Sequence, residues 1–113
     1  MSTIFTKIIN KEIDSDIIYE DDISIAFKDV NSVAPNHILI IPKKEIATIN
    51  DIEEMDKELI GHLFVVAKKI ALQLEINKSG YRIVFNCNDN AGQSVYHIHM
   101  HLLGGRKFTW PPG

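Results

Sequence analysis

The chain has 113 residues, of which 45% are hydrophobic and 24% charged, and its net charge is −3 with histidine neutral. These values are typical of one small soluble domain over residues 1–113, and they disfavour bulk attraction to nucleic acid or to an anionic membrane. One cysteine excludes an internal disulfide, and no apolar run approaches the roughly 20 residues of a membrane span. With no secretory signal visible, we expect a cytoplasmic protein, the nucleus being the alternative.

The N-terminal half of the chain predicts a short helix and three strands. Apolar residues three and four apart predict the helix over residues 3–9. Residues 17–20 and 24–30 predict two strands joined by a tight turn, and therefore a hairpin. The continuous run from His37 to Ile41 predicts a central strand that is buried on both faces and closed by Pro42.

The C-terminal half predicts one long helix and two further strands. Apolar residues at three- and four-residue steps form a stripe from about Asp56 to Leu74, which predicts an amphipathic helix. Residues 81–86 predict a strand, residues 88–94 a polar loop, and the segment beginning at His97 a last strand. The expected fold is therefore α+β, with a five-stranded, mainly antiparallel sheet, one long helix and a short N-terminal helix.

Three histidines alternate with apolar residues in this last strand. A period of two places His97, His99 and His101 on one face and directs the intervening apolar side chains into a core. Imidazole is the side chain whose unperturbed pKa lies closest to neutral pH. Three imidazoles on one face therefore indicate a chemical site.

Three interpretations of this face are possible. On a straight strand the outer two histidines are about 13 Å apart, which is too far for all three to share one zinc ion, although neighbours could. Alternatively, a neutral imidazole attacks phosphorus or an acyl carbon, while protonated flanking histidines offer charge and protons. His99, bracketed by the other two, is then the natural nucleophile. The third interpretation is a solvated polar face without chemistry.

The loop before the histidines favours phosphate. Gly92, Gln93 and Ser94 place a glycine, an amide and a hydroxyl directly before the histidine face. Glycine permits close backbone approach, and backbone N–H groups bind anions. The combination indicates nucleophilic chemistry on a phosphate ester or amide.

The spacing His97-Ile98-His99-Met100-His101-Leu102-Leu103 resembles the signature of the histidine triad (HIT) superfamily of nucleotide hydrolases and transferases. Residues 4–9, 34–37, 41–44 and 92–97 resemble segments of its HINT branch, the histidine triad nucleotide-binding proteins, in the same order. The terminal Trp110-Pro111-Pro112-Gly113 also resembles HINT proteins and differs from the dinucleotide-cleaving branch. The resemblance covers nearly the whole chain and implies the HIT-like fold.

The resemblance implies a purine nucleoside phosphoramidate hydrolase. Such an enzyme cleaves the P–N bond of adenosine or guanosine 5′-phosphoramidates and releases AMP or GMP and an amine, without a metal or other cofactor. A nucleotidyl-histidine forms on His99 and is then hydrolysed. The implied catalytic set is His37, Ser94, His97, His99 and His101.

Partners follow from the same resemblance. It implies a homodimer in which two sheets join and the C-terminus reaches the partner's active site, with no nucleic acid or membrane partner. A different class, a nucleotide-binding interaction protein whose hydrolysis is incidental, shares the same residues.

The nucleotide pocket is also implied by the resemblance. Asp29 corresponds to the carboxylate that binds the ribose hydroxyls, and Asn86 to an amide that contacts the nucleotide. The remaining implied nucleotide-binding residues are Ile4, Phe5, Ile8, Phe27, Val30, Leu39, Gly92, Gln93, Ser94, His99, Met100 and His101. Lys28, where relatives often carry histidine, and residues 88–91 depart from the family pattern.

Overall fold

The computed structural model describes residues 2–113. Along the chain the helices and strands are α1 (Ile4–Ile9), β1 (Ile17–Glu20), β2 (Ser24–Lys28), β3 (Asn36–Pro42), α2 (Lys57–Gln73), β4 (Tyr81–Val84), α3 (Asn88–Ala91) and β5 (Met100–Gly104). Within these residues, five strands form one antiparallel sheet in the order β1-β2-β3-β5-β4. The predicted α+β fold, with one long and one short N-terminal helix, is confirmed.

The predicted histidine strand is shorter than expected. β5 begins at Met100, so His101 lies in the sheet, whereas His97 and His99 precede it. The N–H of Ile98 donates to the carbonyl of Ile46 at 2.8 Å and not to β3, so the chain leaves the ladder here. The alternation of faces nevertheless persists, because Ile98 is buried on the same side as Met100.

Other boundaries also differ from the predicted ones. β2 ends at Lys28 instead of residue 30, and β4 ends at Val84, where its pairing with β5 reaches His101. The predicted loop after β4 contains the helical turn α3, which has no apolar periodicity. Gly92 ends this turn with a φ of +79°, a conformation that glycine adopts at little cost.

Both faces of the sheet are covered. The apolar stripe of α2 packs on one face, where Ile40, Met100 and Leu102 are fully buried beneath it. On the other face, Phe5 and Ile8 of α1 pack with the alternate residues of β2 and β3. Full burial of an aliphatic or aromatic side chain contributes roughly 1.5–3 kcal/mol, so these two clusters hold the sheet in place. None of the helices in residues 2–113 has the length and apolar character to cross a membrane.

Candidate active site

A cavity of about 390 Å³ opens on the α1 side of the sheet. It is lined by Ile4, Phe5, Ile8, Ile13, Asp14, Ser15, Phe27, Lys28, Asp29, Val30, Asn31, Leu39, Ser94, Val95, His99 and His101. An apolar wall, which includes the edge-to-face pair of Phe5 and Phe27 at 5.5 Å, thus adjoins a carboxylate, a hydroxyl and two imidazoles. Cavities of this composition suit a flat apolar ligand that carries a few polar groups.

The orientation of His99 is set by the backbone. Its Nδ1–H donates to the carbonyl of His97 at 2.9 Å, which leaves the lone pair on Nε2. The edge of the Phe5 ring packs against the imidazole, with centroids 5.0 Å apart and an interplanar angle of 80°. The ring is 5% exposed. His99 is therefore held as a neutral imidazole with a free nucleophilic nitrogen.

His37 and His101 form a second fixed pair, although 64 residues separate them. The N–H of Val33 donates to Nδ1 of His37 at 3.1 Å, so the proton of the neutral ring is on Nε2. The Nε2 atom of His37 lies 2.9 Å from Nδ1 of His101 and 3.3 Å from Oδ2 of Asp29, and both of these atoms are acceptors for its proton. His101 therefore accepts at Nδ1 and carries its own proton on Nε2.

Asp29, His37 and His101 also form a group whose ligand atoms lie within 4.8 Å of one another, close enough to surround one metal ion. Coordination by His37 would require a lone pair on Nε2 and a proton on Nδ1. A metal-bound histidine usually donates its other N–H to an acceptor, but Nδ1 of His37 faces the N–H donor of Val33. This arrangement suits a chain of hydrogen bonds better than a metal.

His97 differs from the other two triad histidines. It is fully buried, and its Nε2–H donates to the carbonyl of Pro42 at 2.7 Å. Its Nδ1 has no hydrogen-bond partner among residues 2–113. His97 does not line the cavity and instead attaches the segment that carries His99 to the end of β3.

The pKa values of the four histidines at this site are lowered. Burial is the largest cause for His37, His97, His99 and His101, because it disfavours the charged imidazolium. For His101, burial and then the neighbouring His99 and His37 lower the pKa to about 4. The lowered pKa values favour neutral rings in the ligand-free site at neutral pH, whereas the charge and protons expected of the flanking histidines require their protonated form.

The three residues of the loop before the triad, Gly92, Gln93 and Ser94, have different roles. Ser94 lines the cavity. The buried amide of Gln93 accepts from the N–H of Asn88 at 2.9 Å and donates to the carbonyls of Ala47 and Val95 at 2.8 and 3.1 Å. Gly92 caps α3 and, like Gln93, does not line the cavity. Gln93 is thus a structural clamp that keeps the Ser94 segment in place.

Asp29 is positioned by its own loop. Its Oδ1 accepts from the N–H of Asn31 at 2.8 Å, and its side chain is 18% exposed, so the carboxylate is held at the cavity wall. Val30 lies beside it at the rim and is 94% exposed. Lys28 also lines the rim and lies 3.4 Å from Asp16.

Besides Gly92 and Gln93, two more residues of the implied nucleotide pocket lie outside the cavity. The side chain of Met100 is in the core under α2, and Asn86 lines a separate depression with Arg82 and Arg106. Conversely, the sequence reasoning missed a wall segment at residues 13–15, together with Asn31 and Val95. Residues 13–15 show no periodicity and belong to no motif, whereas the neighbours of Asp29 and Ser94 could have been identified by proximity.

Three alternating histidines at the start of an inner strand of an antiparallel sheet, two of them lining an apolar cavity, are the arrangement of a histidine triad protein. Residues 10–108 match the HIT domain family. Over 104 residues the chain is 54% identical to the purine nucleoside phosphoramidase of Escherichia coli, covering 92% of this chain and 87% of that protein. An uncharacterized HIT-like protein of Synechocystis is 50% identical over 98% of this chain and 96% of its own length.

Solved structures agree with these relatives. A HIT family hydrolase from Legionella pneumophila matches with a TM-score of 0.97 and 51% identity, covering 99% of this chain and 100% of that one. A histidine triad nucleotide-binding protein from Candida albicans matches with a TM-score of 0.84 and 31% identity, over 97% and 83% of the two chains. The chain therefore belongs to the HIT family.

Proposed function

We propose that this protein hydrolyses purine nucleoside 5′-phosphoramidates to the nucleoside monophosphate and an amine. The observation that carries the proposal is the hydrogen bond from Nδ1–H of His99 to the His97 carbonyl. It leaves Nε2 as the neutral, nucleophilic nitrogen of a ring that lines the cavity. The 54% identity to a purine nucleoside phosphoramidase supports the substrate class.

In this proposal the cavity binds the nucleoside part of the substrate. The purine packs against the apolar wall formed around Phe5 and Phe27, and the two ribose hydroxyls donate to the carboxylate of Asp29. The phosphate then lies beside His99, His101 and Ser94. His101, protonated on Nε2 by virtue of its bond with His37, donates a hydrogen bond to a phosphate oxygen.

The reaction proceeds in two steps. Nε2 of His99 attacks phosphorus, the N–P bond to histidine forms and the P–N bond of the substrate breaks. The departing nitrogen keeps the bonding electron pair and takes up one proton from the hydroxyl of Ser94, which takes a proton from solvent in turn. Water then attacks phosphorus, the bond to His99 breaks, and one proton returns to solvent. No step requires a metal.

The direct test compares the rates at which the parent protein and the His99→Ala variant hydrolyse adenosine 5′-phosphoramidate. We expect the parent protein to release AMP and the variant to release none above background. Mass spectrometry of the intact parent protein, quenched without acid, should show one added nucleotidyl group. His62→Gln, which changes an imidazole on α2 outside the cavity, is the matched control and should retain turnover. Equal AMP release by the parent and His99→Ala proteins would refute the nucleophile.

We further propose a cytoplasmic homodimer. β4 is an edge strand of the sheet, and the C-terminal segment lies against it, with Arg82 donating to the carbonyl of Thr109 at 3.0 Å. Phe64 and Val65 of α2 are about half exposed, and Trp110 is 81% exposed. Edge strands with adjacent exposed apolar side chains favour association with a second copy. Light scattering after size-exclusion chromatography should give twice the monomer mass.

A further inference from the structure

Arg106, outside the cavity, makes a well-defined contact with the loop that precedes β3. Its Nε and Nη2 donate to the carbonyl of Val33 at 3.2 and 3.0 Å, and its Nη1 donates to the carbonyl of Lys107 at 3.2 Å. The guanidinium lies 4.2 Å from the centre of the Phe108 ring. A guanidinium that is both stacked and bonded through two nitrogens to one carbonyl has little remaining freedom, even at an exposed position.

The loop that Arg106 contacts carries the donor that orients His37. Val33 offers its carbonyl to Arg106 and its N–H to Nδ1 of His37. The neighbouring residue Gly105 supports the same loop, since a Cβ placed on it would come within 2.8 Å of the Cβ of Pro35. The turn after β5 and the loop before β3 are therefore packed as one unit.

We infer that Arg106 is a positioning residue that sets the tautomer of His37 and, through it, that of His101. While Val33 is held by the guanidinium, its N–H occupies the lone pair on Nδ1 of His37 and keeps the proton on Nε2. His101 must then accept at Nδ1 and present Nε2–H. The tautomers are a property of the free protein, whereas the use of that N–H for phosphate rests on the proposed function.

Without Arg106, Val33 loses its anchor and its N–H turns away from His37 in part of the molecules. The carboxylate of Asp29, 3.3 Å from Nε2 of His37, still favours a proton on that nitrogen, but the freed Nδ1 takes the proton in part of the molecules. His101 then carries its own proton on either nitrogen. In the molecules where His101 is protonated on Nδ1, it offers a lone pair to the phosphate instead of a donor. The nucleoside part of the cavity is unchanged, so catalysis and not substrate binding should suffer.

The test reads the tautomers directly, with long-range ¹H–¹⁵N NMR spectra of the full chain labelled with ¹⁵N at histidine. In the parent protein, His37 and His101 should both show protonation at Nε2. In Arg106→Gln the Nδ1 and Nε2 frequencies of both histidines should move toward each other. In Arg106→Lys, which keeps a cationic donor, these frequencies should lie between those of the parent and of Arg106→Gln. Lys107→Gln, the exposed neighbour, is the matched control and should leave both spectra unchanged.

Kinetics on a phosphoramidate substrate provide the second readout. The loss of a hydrogen bond of ordinary net strength corresponds to roughly a fivefold effect, so Arg106→Gln should lower kcat by about fivefold while KM stays within twofold. Unchanged tautomers in a folded Arg106→Gln protein, or Nδ1 protonation of His37 in the parent, would overturn the inference. If Arg106→Gln does not fold, Arg106→Lys decides the question in the same way. The NMR result stands even if the protein hydrolyses no phosphoramidate, so the two proposals fail separately.

Discussion

Acidification from pH 7 to pH 5 should destabilise the protein through His101. Burial together with His99 and His37 lowers the pKa of this ring to about 4 in the folded state, whereas an unfolded histidine titrates near 6.5. Below pH 6.5 the unfolded chain therefore binds a proton that the folded chain does not. The stabilisation is fully present at pH 7 and is lost as the pH falls from 6.5 toward 4.

The size of the effect follows from these two values. At pH 5 the unfolded ring is almost entirely charged and the folded ring almost entirely neutral, which corresponds to a loss of about 2 kcal/mol in the free energy of unfolding for a fully buried group. The ring of His101 is partly exposed and lines the cavity, so screening by water reduces the expected loss to about 1 kcal/mol. His37, His97 and His99 shift in the same direction and add to it.

Urea unfolding followed by circular dichroism, at one protein concentration, measures this loss. The comparison is between the parent protein and His101→Asn, which is polar but does not titrate. The parent should lose about 1 kcal/mol more than the variant between pH 7 and pH 5, and neither should change between pH 7 and pH 8. If both proteins lose the same free energy between pH 7 and pH 5, His101 is not held neutral by the fold and the reasoning is refuted.

Two further predictions concern the cavity wall and the clamp beside it. Asp29→Asn should weaken AMP binding about 10-fold or more in calorimetry, because the amide keeps one acceptor oxygen and one ribose hydroxyl loses a charged acceptor worth roughly 1.5–3 kcal/mol. An unchanged Kd would exclude Asp29 as the ribose ligand. Gln93→Leu should lower the free energy of unfolding by about 2 kcal/mol, because three partly buried backbone groups lose their partner. Gln93→Glu keeps the acceptor for Asn88 but sets a second oxygen against the two carbonyls, so it should be at least as destabilising as Gln93→Leu. Equal stability of the parent and both variants would contradict the assigned role.

Much of the fold could be predicted because it depends on local periodicity. The stripe on α2 and the apolar run of β3 each contain, in consecutive residues, the pattern that decides their burial, and both were predicted to within a residue or two of their observed ends. The predicted helix from about Asp56 to Leu74 is observed as Lys57–Gln73. The side on which His99 and His101 lie followed from the same alternation.

The proton arrangement of the site could not be predicted in this way. The contact between His37 and His101 joins two strands that are far apart in sequence, and the tautomer of His37 depends on one backbone N–H, that of Val33. The late start of β5 has a similar origin, because the carbonyl of Ile46 replaces the partner that β3 would have provided for the N–H of Ile98. Such pairings are decided by tertiary structure and leave no periodic signal.

Gln93 separates two parts of the protein that are adjacent in sequence. Its amide binds the first residue of α3, the segment after α3 and the segment after β3, so Ser94 is held through backbone groups. Of the side chains of residues 88–91, that of Asp89 bonds to Tyr96 at 3.4 Å. Those residues lie on the surface outside the cavity, in depressions next to Tyr96 and to Arg82. Substitutions that change the surface chemistry beside the cavity can therefore leave the Ser94 hydroxyl at the cavity wall in place.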